Sequence, residues 1–365
     1  MNRLLALPLL LALPLLLLAH EKKADAKPTP LTAAEAREGW LLLFDGETTF
    51  GWDIEGEARV EKGVLVLGGK KPTRARFGTS FPAHEIDLRV VSVRGKGTVE
   101  VHPGITPRNS AGVGIKAEAP KERTHPHAPV DLTIPADTEV RIARALLRPL
   151  GTRSLFNGKD LAGWKVFEGK GKKSKFTVSK EGWLNVKDGP GDLQTTQTFA
   201  NFLLQLECIS NGKRLNSGVF FRCIPGQYQQ GYEAQIHNGW ADRPAKTYTL
   251  DEYDPATHKL VGKKKVRSAA MDYGTGAIYR RVPARRAVAK DGEWFTMTVA
   301  ASGRHIATWV DGVQVVDWTD NRPADDNPRK GYRAAAGAVS LQGHDPTTDL
   351  SFRNIRIAEM PHPEK

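Results

Sequence analysis

Between Asn216 and His237 the chain carries a guanidinium, a carboxylate, an amide and an imidazole at a spacing of two residues. In Gly231-Tyr232-Glu233-Ala234-Gln235-Ile236-His237, an extended backbone puts Glu233, Gln235 and His237 on one face. Tyr232, Ala234 and Ile236 then fall on the other, because successive side chains of a strand alternate. Upstream, Arg222 shares a face with Phe220, opposite Val219, Phe221 and Cys223. Such a group of side chains offers a base, a cation for developing negative charge and donors for hydroxyl groups. A solvated face with a surface ion pair is the ordinary explanation of one such pair of strands. A third stretch with alternating polar residues, Ser340-Leu341-Gln342-Gly343-His344, tips the balance toward a site.

These residues require strands to position them. A turn at Pro225-Gly226 joins the first two into a hairpin. Further alternating runs are expected at 294–301, 304–310, 313–318, 338–342 and 350–357, separated by turns such as Ala301-Ser302-Gly303 and Asp311-Gly312. Residues 238–275 interrupt this meander as a long polar excursion, of the length expected for a lid or a decoration. Near the other end, Thr32-Ala33-Ala34-Glu35 has the spacing of a helix capping box, with a short helix running to Glu38.

A repeat organises the rest. Leu43-Phe44-Asp45-Gly46-Glu47-Thr48-Thr49-Phe50-Gly51-Trp52 returns 112 positions later as Leu155-Phe156-Asn157-Gly158-Lys159-Asp160-Leu161-Ala162-Gly163-Trp164. Each copy leads into a strand, a Gly-containing turn and another strand, at 58–67 and 176–186. Two β-sandwich-like domains are the simplest account, at 40–150 and 151–360, after a linker and short helix at 20–39. In the first, strands are expected at 85–93, 98–101, 112–116, 130–134 and 139–145. That copy has nothing matching Asn216-Ser217-Gly218 or Glu233-Ala234-Gln235. His84, His102, His125 and His127 are its notable polar residues, and a Pro-rich loop is the plainer account of His125-Pro126-His127. A non-catalytic role is expected for it.

Residues 1–19 read as a secretory signal: Arg3, an apolar run at 4–18, then Ala19 and the polar His20-Glu21-Lys22-Lys23. The run is short for a membrane span and holds Pro8 and Pro14. Export to the periplasm or the extracellular space is the expectation. Cys208 and Cys223 fall on the arms of one expected hairpin, 202–209 and 218–224, both toward the packed side. A disulfide and two buried thiols are equally open. The net charge of +12 is concentrated at 170–175 and 259–267 without interleaved aromatics, which argues against nucleic acid.

Several motifs, in order, resemble the 3-keto-disaccharide hydrolase family. They are the opening at 155–164, Asn216-Ser217-Gly218-Val219-Phe220-Phe221-Arg222, Gly231-Tyr232-Glu233-Ala234-Gln235-Ile236 and Gly276-Ala277-Ile278-Tyr279. Val339-Ser340-Leu341-Gln342-Gly343-His344 and Phe352-Arg353-Asn354-Ile355-Arg356 are similar too, so the resemblance spans about 152–359. It implies a concanavalin A-like jelly-roll β-sandwich, related to lectins and glucanases, that acts on glycosides oxidised at C3. The excursion at 238–275 and the first domain depart from the family's pattern.

A ketone at C3 acidifies the hydrogen on C2. A base removes that proton, the enolate expels the substituent at C1, and water adds to the resulting enone. The reading assigns Glu233 as base, Arg222 either to the enolate or simply to pair with Glu233, and His344 as acid for the leaving group. Asn216, Gln235, His237 and Gln342 would read sugar hydroxyls, and Trp240 or Tyr279 would stack on a ring. No metal or other cofactor is expected, because neither Glu233 with His237 and His344 nor Asp345 with Asp349 has a recognised ligand spacing. The expected partners are a keto-disaccharide or related glycoside and a separate sugar 3-dehydrogenase that supplies it. Paired-carboxylate hydrolysis is less supported, since the motif strands offer one clear carboxylate. A lectin-like module that binds sugar unchanged and a structural envelope protein are the alternatives.

Overall fold

The computed structural model describes residues 31–95, 97–102, 130–243 and 246–361. The N-terminal run and the His125-Pro126-His127 segment lie outside the described residues, as does the strand expected at 112–116. The helix Ala33–Glu38 is closed by the expected capping box: Thr32 accepts from the Glu35 amide, and the Glu35 carboxylate accepts from the Thr32 amide. Gly39 ends it at φ 94°, a left-handed conformation that favours glycine.

Both copies of the repeated opening fold alike. The Trp52 indole donates to the Leu43 carbonyl at 2.6 Å, and the Trp164 indole donates to the Leu155 carbonyl at 2.8 Å. Asp45 Oδ1 accepts from the amides of Glu47 and Thr48, as Asn157 Oδ1 does from those of Lys159 and Asp160. An Asx side chain stands in for a backbone acceptor in each turn, which explains why Asp and Asn both serve there.

The fold is all-β: a concanavalin A-like jelly-roll β-sandwich preceded by a smaller β-sandwich. In the smaller unit, a five-stranded sheet runs Leu41–Leu42, Thr138–Pro149, Val64–Gly69, Ala58–Glu61, with His84–Arg94 also paired to Thr138–Pro149. A four-stranded sheet runs Trp52–Glu55, Thr73–Phe77, Asp131–Ile134, Glu100–His102. The larger unit pairs an eight-stranded sheet with a five-stranded one. The eight-stranded sheet includes Asp349–Glu359, Phe202–Ser210, Phe295–Ser302, His305–Val310 and Val313–Thr319 in that order. The five-stranded sheet runs Trp164–Val166, Gly191–Thr195, Ala338–Gly343, Ser217–Cys223, Tyr232–Ile236, and it carries the candidate site.

Alternation sorts side chains between the layers. Leu204, Leu206, Phe295, Met297 and Val299 pack from the eight-stranded sheet against Leu193, Val219, Phe221, Tyr232 and Leu341 of the other. The opposite face of the eight-stranded sheet is also covered. Leu203, Ala300, Ala307 and Trp309 join a core with Leu43, Phe77, Phe81 and Leu147 of the smaller unit. Trp309 is fully buried there, with its indole donating to the Leu42 carbonyl at 3.3 Å. The strand Phe202–Ser210 is apolar or buried along almost its whole length because it lies between two cores.

One expectation needs correction. Cys208 and Cys223 do not sit on the arms of one hairpin: Phe202–Ser210 belongs to the eight-stranded sheet and Ser217–Cys223 to the five-stranded one. Cys208 packs in the core between the sheets and Cys223 packs with Phe220 and Ala338 on the other side, both as free thiols. The excursion at 238–275 contains regular structure, a hairpin of Lys246–Tyr253 and Leu260–Ser268 that pairs with no other sheet.

Candidate functional site

The antiparallel register lines up polar residues in rows across the five-stranded sheet. Glu233 is opposite Phe220, Phe220 opposite Ser340, and Ser340 opposite Gln194. One step along, Gln235 is opposite Gly218 and Gln342 opposite Asp192. All these side chains project away from the packed core, since their neighbours Ala234, Val219, Leu341 and Leu193 fill it.

Glu233 is 5% exposed and lines a cavity of about 190 Å³ together with Tyr279, Arg280, Arg281 and Arg329. Burial pushes its carboxyl up to about 7, against the opposing pull of Arg329, whose Nη1 lies 3.4 Å from Oε2. The absence of a side chain at Gly218 makes room for it. A Cβ there would meet Glu233 Cγ and Oε1 at 2.9 Å. Residues 276–279 run beside the Glu233 strand as an extra edge, with the Tyr279 amide donating to the Glu233 carbonyl and Gly276 to that of Gln235.

Asp272, in the excursion, completes one wall. Its carboxylate accepts from Asn216 Nδ2 at 2.7 Å and Gln235 Nε2 at 2.9 Å. Asp272 and Tyr273 both have positive φ, 46° and 68°, a costly conformation for residues with a Cβ. Those donations fix the amides with Asn216 Oδ1 and Gln235 Oε1 turned out, each buried and unpartnered among the described residues. Gln342 Oε1, Ser340 Oγ and Asp192 Oδ1 are in the same condition. Buried oxygens without partners are costly, and several on one open sheet face suit a ligand rich in hydroxyl groups.

Asp192 forms the far side. Burial raises its carboxyl to about 6, against the Gln229 amide that donates to Oδ2 at 2.9 Å and the nearby charge of Lys172. Gln194 accepts from the Gly226 amide and donates to the Gln227 carbonyl, holding the 224–230 turn over the sheet. Lys172 Nζ sits 3.0 Å from the centre of the Tyr228 ring, and Phe167 packs on the same ring. Three strand spacings separate Asp192 from Glu233, about 14 Å.

The structure thus gathers Glu233, Asn216, Gln235, Gln342 and Tyr279 and gives four expected residues other partners. Arg222 is fully buried and aims away from the site. It donates to the carbonyls of Ala200, Gly303 and Arg333 and to Asn201 Oδ1. A register shift between Phe220 and Cys223 and a φ of 47° at Arg222 mark an irregularity that breaks simple alternation. His344 lies past the end of its strand, paired with Asp345 in a turn held by Thr348. Four residues beyond the Ser340 row is roughly 13 Å, too far for the leaving-group acid of Glu233. The Trp240 indole packs on Gly274 at the edge of the core. His237 is half-buried, its Nδ1 accepting from the Gly239 amide and its pKa lowered by burial. Among the described residues, no three His, Cys, Asp or Glu side chains gather as metal ligands do.

Asp192 was readable in the sequence, since Gly191-Asp192-Leu193-Gln194-Thr195 alternates like the other site strands. Asp272 and Arg329 carry no periodic signal, because both lie in irregular segments.

Residues 151–358 match the 3-keto-alpha-glucoside-1,2-lyase-like domain, more than half of the chain. The chain belongs to this family. No curated protein matches it. Among solved structures, a candidate glycosyl hydrolase from Parabacteroides distasonis is 20% identical, with a TM-score of 0.43, covering 58% of this chain and 94% of that one. A β-glucanase from Bacillus licheniformis is 14% identical, with a TM-score of 0.34 and coverage of 57% and 99%. The carbohydrate-binding module CBM66 from Bacillus subtilis is 13% identical, with a TM-score of 0.34 and coverage of 54% and 96%. The match places the chain among glycosyl hydrolase-like proteins.

Proposed function

We propose that this protein cleaves 3-keto glycosides by elimination, with Glu233 as the base that removes the C2 proton. The observation that carries this reading is a buried carboxyl, raised to about 7, on the wall of a cavity beside the Arg329 guanidinium. A base with that pKa is well matched to neutral pH. The Arg329 charge beside it would stabilise the enolate as it forms. With His344 remote, the same Glu233 serves both steps. It takes the C2 proton, and at a pKa near 7 it can pass a proton to the departing C1 oxygen. Water then adds to the enone. Asn216, Gln235 and Gln342 hold hydroxyl groups through their outward amide oxygens, and Tyr279 lines the cavity as an apolar wall. A separate C3-oxidising dehydrogenase must supply the substrate.

The test is Glu233→Gln, which keeps shape and removes the base. Turnover of a 3-keto disaccharide should fall by about 10²- to 10⁴-fold. In the unaltered protein, solvent deuterium should appear at C2 of the product, and the unoxidised disaccharide should be inert. Cleavage of the unoxidised sugar with C2 hydrogen retained would point to ordinary hydrolysis. Binding of the keto sugar without any product would leave a lectin-like module instead.

Export belongs to the same proposal, on the strength of Arg3 and the apolar run at 4–18. Protein recovered from its native envelope should begin shortly after Leu18. Mature protein retaining Met1 would refute it.

A further inference from the structure

The cavity beside Glu233 carries more positive charge than elimination from a neutral sugar calls for. Arg280, Arg281 and Arg329 line it, and Glu233 is its sole carboxylate, so the lining holds a surplus of two positive charges with Glu233 ionised (3 − 1 = 2). Among the described residues, neither Arg280 nor Arg281 has a carboxylate within ion-pair distance, and Arg329 has Glu233 alone. The nearby carboxylate of Asp320 is already committed. It accepts from Arg322 Nε and Nη2 at 2.8 and 2.7 Å and from the Tyr232 hydroxyl at 2.8 Å.

Arg281 is held rather than loose. Its Nη2 donates to the Arg329 carbonyl at 2.6 Å, so the two arginines form one wall. Burial lowers the Arg281 pKa, the sign of a guanidinium taken partly out of water. Arg280 lies 5.3 Å from the centre of the Tyr279 ring at the cavity's exposed side. Gathering like charges and desolvating one of them costs stability that an incoming anion would recover. A guanidinium's planar fork matches an oxyanion with two parallel hydrogen bonds, whereas a neutral hydroxyl uses one donor at a time. A transient enolate spreads a single charge, for which Arg329 suffices.

We propose that Arg280 and Arg281 form a subsite for an oxyanion, so that the preferred ligand is an acidic glycoside bearing a carboxylate, sulfate or phosphate beside the scissile bond. This rests on the sugar-cleaving reading for its position next to the scissile bond, and its test does not depend on turnover. Calorimetric binding to the full chain would compare methyl glucoside, methyl glucuronide, methyl glucoside 6-sulfate and methyl glucoside 6-phosphate, with sodium sulfate and sodium phosphate as free-ion controls. The acidic glycosides should bind about 10- to 100-fold more tightly than methyl glucoside, as expected for charge-assisted hydrogen bonds. That advantage should shrink with added salt and disappear in Arg280→Gln/Arg281→Gln, with the single Arg281→Gln giving an intermediate value if the double variant folds poorly. The ranking among carboxylate, sulfate and phosphate identifies the anion. Equal affinity for neutral and acidic glycosides, free ions binding as tightly as the acidic glycosides, or an advantage undiminished by Arg281→Gln would overturn the proposal. Tight acidic binding with no cleavage of any 3-keto glycoside would sink the elimination reading and leave the subsite standing.

Discussion

At Glu233 the physics of burial and of catalysis meet in one carboxyl. Its ordinary value is 4.5 and the folded value about 7, so burial favours the protonated form. A raised carboxyl pKa contributes stability below the unfolded value, which is lost as pH rises through the folded one. Glu233→Gln should therefore unfold less readily than the parent at pH 8, relative to their difference at pH 4. The unaltered enzyme's kcat/KM should rise with pH through an apparent pKa near 7, because the ionised form is the base. Thermal denaturation at the two pH values and a pH–rate profile check both. Arg222 and His344 make the complementary contrast. Arg222→Met strips donors from three partly buried carbonyls and from the buried Asn201, so it should cost about 3 kcal/mol or more in a denaturant titration. His344→Ala removes a half-exposed pair with Asp345 and should change stability by less than about 1 kcal/mol and leave turnover within a factor of a few. A large, selective loss of kcat in His344→Ala would restore it as the acid.

Among the elements, the segment after the site strand links the two units. Residues 276–279 flank the Glu233 strand, and a few positions later Arg285 and Arg286 both reach Asp45, at 2.7 and 3.0 Å. The Asp45 carboxyl is lowered to about 2, with burial opposing the amides of Glu47 and Thr48 and the Arg285 guanidinium. A lowered pKa contributes stability above the unfolded value of 3.8, and that stability is lost as pH falls toward 2. Asp45→Asn keeps the turn, as Asn157 does in the other copy, and removes only the charge. It should cost about 1–3 kcal/mol near pH 7, and the cost should shrink as the pH approaches 2. Urea titrations of both proteins across that range read the difference directly. An unchanged cost at low pH would show that packing, not the ion pair, holds the junction.

For the whole molecule, the eight-stranded sheet has no solvent face where the smaller unit covers it. Leu203, Ala300, Ala307 and Trp309 belong to a shared core, so the smaller unit is part of the larger unit's packing as well as a domain with its own sheets. Residues 151–360 alone would expose that patch. They should be less stable than the full chain and prone to associate, although the Glu233 cavity lies on the other sheet and its activity should survive wherever the fragment stays folded. Trp309→Ala in the full chain should cost about 3–5 kcal/mol. Size-exclusion chromatography and denaturation of the fragment test the first expectation. A fragment that is monomeric and as stable as the full chain would refute the shared core.

Alternation and local turn chemistry were legible from the sequence alone. The period of two placed Glu233 and Gln235 on one face, the repeated Leu-Phe-Asx-Gly opening marked two segments that fold alike, and the Thr32–Glu35 spacing foretold a capped helix ending at Glu38. Each depends on residues near one another in the chain, so spacing is enough. Only the tertiary structure decided which residues join Glu233. A local irregularity turned Arg222 into the interior, because a shift of one residue sends a side chain to the opposite face. Asp272 and Arg329 arrive from irregular segments, 39 and 96 positions away (272 − 233 and 329 − 233), where no period predicts direction. The sharing of Trp309 between two cores likewise follows from how the sheets stack, since an apolar strand reads the same whichever layer covers it.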